Sequence, residues 1–122
     1  MKTIDSIKDV RQVIDSYIAG TKTGNVKRLK EVFHGDAIMS GNLMGNIMVC
    51  STTTPFFKDI EGETAPAEYD AQITSIVVDG NIASATLIEK GLKGTGFINH
   101  FHLVKTEGTW KIVSKLFISD QH

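Results

Sequence analysis

The sequence predicts an α+β domain, with helices from its first half packed on one face of a sheet built mainly by its second half. Three observations carry this. Apolar residues recur at helical spacing between Ile7 and Phe33; Gly-Asn pairs at 41–42 and 45–46 then break that pattern. From residue 69 onward, β-branched and aromatic runs alternate with short turn signals.

In chain order, Ser6 can cap a helix with Asp9 at its third position, and Ile7, Val10, Ile14, Tyr17 and Ile18 fall on one face. "TKTG" ends that helix, since Gly24 can take the left-handed terminal conformation, and Asn25 can cap a second, shorter helix carrying Val26, Leu29, Val32 and Phe33 inward. The segment "AIMSGNLMGNIMVC" has turn chemistry at Gly41-Asn42 and Gly45-Asn46 and predicts a small hairpin. Thr54-Pro55 starts a short helix with a heavy apolar face of Phe56, Phe57 and Ile60, closed by Gly62 and Pro66. Four strands follow at about 69–78, 82–90, 96–106 and 109–118. Turns at Asp79-Gly80, Lys93-Gly94 and Glu107-Gly108 make them an antiparallel meander.

The totals bound the function. A chain of 122 residues with 41% hydrophobic content is one ordinary domain, 1–122, with a real core. Thirteen basic against fourteen acidic side chains leave a formal charge of −1 with no basic cluster, which argues against nucleic acid as a partner. Charges at Asp5, Lys8 and Asp9 interrupt any apolar leader and no segment approaches membrane-spanning length, so the expectation is a cytoplasmic chain without membrane contact. The single Cys50 reads as a small buried apolar residue. Nothing calls for a cofactor.

If Glu107-Gly108 is a two-residue turn, Leu103 pairs with Ile112 and His102 with Val113, and paired residues share a face. One face then holds Phe97, Asn99, Phe101 and Leu103 with Trp110, Ile112, Ser114 and Leu116, and should meet the helices. The other holds Ile98, His100, His102 and Val104 with Lys111, Val113, Lys115 and Phe117. Its apolar content predicts covering by a second copy of the chain, with His100, His102, Val113, Lys115 and Phe117 at the interface. The spacing of His100 and His102 suits a metal on one side of a strand, but no third ligand is identifiable, so no metal site is predicted.

Candidate inner residues follow from the same arithmetic. Asn99 is a polar side chain on an apolar face; it would hydrogen-bond a ligand, or else Ser114 or Tyr17 within the core. Tyr17, Phe56, Phe57, Phe101 and Trp110 would line a cavity or fill it. His34 with Asp36, or Glu89, would supply a general base, although helix-end polar residues commonly just cap. The face of Glu89 depends on the register of the Asp79-Gly80-Asn81 hairpin.

The element order, with "YIAGTKTGNVKRLKEVFHGDA", "VVDGNIASATL" and "FHLVKTEGTWKIVSKLF", resembles the nuclear transport factor two-like superfamily, which includes ketosteroid isomerases and SnoaL-like cyclases. The last pattern is most similar to the group called putative lumazine-binding. This resemblance implies a cone-shaped fold: a curved antiparallel sheet wrapped by three N-terminal-half helices around a hollow. It also implies a homodimer through the outer sheet face and a small apolar or heteroaromatic ligand. Such sequences often carry aspartate where this chain has Asn99, which weakens proton transfer at that position. The leading expectation is a small-molecule-binding homodimer. A lyase, isomerase or cyclase using His34, Asp36 or Glu89 is the first alternative and a protein-interaction module the second.

Overall fold

A computed structural model describes residues 2–119. The first helix, α1 (Lys2–Thr23), begins ahead of Ser6, which therefore lies inside it rather than capping it. Val10, Ile14 and Tyr17, spaced for one helix face, are fully buried against the sheet. Gly24, at φ 66°, turns the chain into α2 (Val26–Val32), where the Asn25 side chain accepts from the Arg28 N–H at 3.1 Å. Val26 and Leu29 are buried; Phe33, expected on this helix, instead opens the first strand, β1 (Phe33–Leu43).

β1 runs straight through Gly41-Asn42 and turns at Met44-Gly45 into β2 (Asn46–Cys50). The glycine at 41 serves close approach rather than a turn. A Cβ there would lie 2.4 Å from the Phe117 carbonyl oxygen of the neighbouring strand. Helix α3 (Thr54–Ile60) starts with proline in its first turn and buries Phe56 and Ile60. The meander follows as β3 (Asp70–Asp79), β4 (Ile82–Leu92), β5 (Thr95–Thr106) and β6 (Thr109–Ser119).

These strands form one sheet in the order β2-β1-β6-β5-β4-β3. It is curved and unclosed, with the helices on one face, so the class is α+β and the cone expected from the resemblance is present. One correction concerns direction. The sheet is mixed, because β1 and β6 run parallel, and that pairing joins distant parts of the chain that no hairpin signal could couple. No helix among the described residues is long and apolar enough to cross a membrane.

A second correction decides the site. The β5–β6 hairpin begins as expected, with Thr106 opposite Thr109 and Leu103 opposite Ile112, but the register then slips so that His102 faces Ser114. Val113 is the extra residue of a β-bulge, and beyond it inside and outside exchange. Lys115 and Phe117, expected on the outer face, point inward and are 5% and 7% exposed. Ser114 and Leu116, expected inward, are turned off that face, Leu116 being 48% exposed.

We predict that Gly41→Ala lowers stability by about 1–3 kcal/mol, because backbone rather than a mobile side chain stands in the way. Urea denaturation measures this directly; an unchanged midpoint would mean β1 and β6 can separate at no cost.

Candidate functional site

Strand register assembles a polar cluster on the inner face. The two-residue turn at Gly80-Asn81 puts Asp79 opposite Ile82, and the resulting alternation turns Glu89 inward with Ala83, Ala85 and Leu87. On β5, Asn99 pairs with Leu87 and Phe97 with Glu89, so Asn99 and Glu89 are diagonal neighbours. The Asn99 amide nitrogen donates to Glu89 Oε1 at 2.6 Å and reaches the Leu87 carbonyl at 3.5 Å. The Tyr69 hydroxyl, just ahead of β3, donates to Glu89 Oε2 at 2.6 Å. Glu89 is 2% exposed and Asn99 fully buried, so these donors replace the water that the acid loses on folding.

Lys115 stands on the same face, opposite Phe101. Its Nζ lies 4.8 Å from the Phe56 ring centroid and 4.5 Å from that of Phe117, and it makes no hydrogen bond or ion pair among the described residues. Burial pushes the Lys115 ammonium down to about 8, and the charge of Glu89 opposes part of that shift. The Tyr17 and Tyr69 hydroxyls are both pushed up, first by burial and next by Glu89. Tyr17 is fully buried, with Thr21 and Glu89 as the polar groups about its hydroxyl, and Asn99 Oδ1 has no hydrogen-bond partner among the described residues.

Glu89, Lys115 and Tyr17 border a cavity of about 250 Å³, while Asn99 and Tyr69 stand behind Glu89 and do not line it. Tyr17 of α1 and Phe56 and Ile60 of α3 form one wall. Met39 and Met48 of the β1–β2 hairpin form another, and Glu89, Phe97, Lys115 and Phe117 form the sheet side. The lining is apolar except for the acid, the amine, the phenol and Asp59 at the α3 edge. A wider surface groove of about 460 Å³ runs beside Thr21 and residues 63–66, bordered by the exposed Lys93–Glu63 ion pair at 2.7 Å; its charged groups face water.

The structure distributes the other sequence candidates unevenly. Tyr17 and Phe56 line the cavity, whereas Phe101 and Trp110 are buried in the core and Phe57 is half-buried against it. Trp110 Nε1 has no hydrogen-bond partner among the described residues. Asn99 bonds neither Ser114 nor Tyr17 but Glu89. His34 lines a separate groove with Lys30, Glu107 and Lys111, its Nδ1 accepting from the Asp36 backbone N–H at 3.0 Å; the Asp36 side chain is in solvent. His100 and His102 are exposed on the outer face, as the turn arithmetic places them, and Val113 is the bulge residue. No group of three or more metal-ligating side chains occurs among the described residues. Tyr69 and the inward role of Lys115 had no sequence signal, since each depends on where a strand slips.

A curved sheet closed over by three helices, with a buried polar cluster at the cavity between them, defines a nuclear transport factor two-like protein. Residues 5–118 match the model of the family described as "Putative lumazine-binding", and the chain belongs to that family. Among solved structures, an NTF2-like protein of unknown function from Silicibacter pomeroyi is 24% identical, with a TM-score of 0.88 over 98% of this chain and 100% of that one. Another from Shewanella baltica is 25% identical, also at 0.88, over 96% and 95%. A ketosteroid isomerase-like protein from Erwinia carotovora atroseptica shares the fold at 14% identity, with a TM-score of 0.71 over 93% and 95%. No curated protein matches the sequence.

Two predictions follow from the cluster's charges. Lys115 has a lowered pKa, so the unfolded chain holds its proton more tightly; the destabilisation is full below about pH 8 and is relieved as pH rises toward about 10.5. The stability of wild type relative to Lys115→Met should therefore improve by about 2–3 kcal/mol between about pH 7 and pH 10.5. A pH-independent difference in urea midpoints would show that Lys115 is solvated. Asn99→Asp would set a second carboxylate beside Glu89, where a donor now sits at 2.6 Å. That variant should lose about 2–3 kcal/mol in urea denaturation near neutral pH, because a buried donor is replaced by a like charge.

Proposed function

We propose that this protein binds a small, flat, mostly apolar molecule in the 250 Å³ cavity, with the molecule's polar end directed at Glu89, Lys115 and Tyr17. The observation that carries the reading is a buried acid and a buried amine opening onto an otherwise apolar hollow. Such groups cost free energy to bury, and no acceptor among the described residues takes the amine's hydrogen bonds. The volume lies just below the range of about 300–1,000 Å³ typical of drug-sized sites, which favours a one- or two-ring molecule. Membership of the lumazine-binding family supports a heteroaromatic occupant; lumazine, a flat bicycle with carbonyl acceptors and N–H donors, has groups for both Lys115 and Glu89.

Pairing of two copies through the outer sheet face belongs to this reading. Ile98, Leu116 and Ile118 are each more than 40% exposed there, around His100. Because of the bulge, Leu116 and Ile118 take the interface role that sequence arithmetic assigned to Lys115 and Phe117.

A second reading, general acid–base catalysis of the isomerase or lyase kind, has Glu89 behind it. It is the one sequence-predicted base at the cavity, and Asn99 and Tyr69 orient it. His34 and Asp36 lie elsewhere and take no part.

Titrating the full chain with lumazine, followed by isotope-labelled Met39 and Met48 methyl resonances, tests the first reading. We expect saturable shifts that Met48→Trp abolishes by filling the hollow. Shifts that persist in Met48→Trp, or none with any flat heteroaromatic probe, would remove the cavity from consideration. Sedimentation should give a dimer that Leu116→Lys dissociates.

A further inference from the structure

Lys115 is not held as a structural lysine is. Its Nζ borders the cavity between two aromatic rings, in a side chain only 5% exposed, and no acceptor among the described residues holds it. Structural lysines in protein interiors are normally tied to carboxylates or carbonyls, because a buried ammonium without acceptors loses its hydration and recovers nothing. Resting on the cavity reading above, we propose that Lys115 is a nucleophile that captures a small aromatic aldehyde in the cavity as an imine.

The surroundings suit each stage. The rings of Phe56 and Phe117 flank the amine and offer stacking surface to an aryl group. In the first stage the Nζ lone pair forms a bond to the carbonyl carbon, the C=O π electrons move to oxygen, and a proton passes from nitrogen to that oxygen. In the second the protonated oxygen departs as water while nitrogen closes the C=N bond and releases its last proton. Aldehyde and amine thus become imine and water, with no change of oxidation state. Glu89 on β4 is the carboxyl that gives and takes these protons, and the Tyr17 hydroxyl on α1, which borders the same cavity, donates to the departing oxygen. The other titratable groups facing this space are Asp59 at the α3 edge and Tyr69, whose hydroxyl is committed to Glu89.

The same burial that costs stability supplies reactivity. With its pKa lowered from 10.5 to about 8, Lys115 has about three hundredfold more neutral amine near neutral pH than an ordinary lysine.

The test uses the full chain, benzaldehyde as probe, and cyanoborohydride to reduce any imine to a stable benzylamine, located by peptide mass mapping. We expect Lys115 to be benzylated at least about tenfold faster than any surface lysine near neutral pH. Lys115→Arg and Lys115→Met, each checked for fold by circular dichroism, should abolish the fast modification; the arginine variant retains the buried charge if the methionine variant does not fold. Ethylbenzene, which lacks the carbonyl, is followed in parallel by the Met39 and Met48 methyl resonances. If ethylbenzene occupies the cavity but benzaldehyde leaves Lys115 unmodified, the nucleophile proposal falls and the cavity reading stands. If benzoate binds while benzaldehyde leaves Lys115 unmodified, the proposal is likewise overturned and Lys115 stands as an anion's partner. If neither ethylbenzene nor benzaldehyde perturbs the cavity, both readings fail.

Discussion

Glu89 holds a carboxyl at 2% exposure, and an acid so far from water must be met by donors placed to within a few tenths of an ångström. Tyr69 and Asn99 meet it, each at 2.6 Å, from either side of β4. That requirement reaches through the sheet. It binds the β3–β4 register, the β4–β5 register and the segment leading into β3, since a slip of one residue in any of them would turn a donor to the opposite face. Tyr17 of α1 and Lys115 of β6 complete the surroundings, so the first helix and the last strand are both arranged about one side chain.

The bulge at Val113 is the second determinant. Without it, strict alternation along β6 would carry Ser114 and Leu116 into the cavity and put Lys115 in solvent. With it, the sheet gains local twist, the amine enters the hollow, and Leu116 and Ile118 are left on the outer face. One extra residue thus sets both the chemistry of the inner surface and the apolar character of the outer one. Burying an unpaired amine opposes stability, a cost of the sort functional sites carry and well-packed cores do not.

Much of the fold was legible because its signals are local. Gly24 and Asn25 mark the break between the helices, Pro55 marks α3, and Lys93-Gly94 and Glu107-Gly108 lie at the turns they predict. The outward direction of His100 and His102 followed from counting back from one of those turns. The site was legible only in pieces. Asn99 stood out as a polar residue on an apolar face and Glu89 as a candidate whose face was undecided, but nothing in the chain indicates that the two bond each other. Gly41-Asn42 misled for a physical reason: its glycine admits the Phe117 backbone, a need indistinguishable from turn chemistry in the bare sequence.

By itself, then, the sequence determined the helices, the turns, the four-strand meander and the α+β class, because capping, proline, glycine and hydrophobic periodicity act over a few neighbouring residues. Only the tertiary structure decided that β1 runs parallel to β6, that Val113 bulges, and that Glu89, Asn99, Tyr69 and Lys115 converge. Those are outcomes of register between strands, and register is settled by the total burial and hydrogen bonding of the whole sheet, a sum to which no single stretch of residues holds the answer.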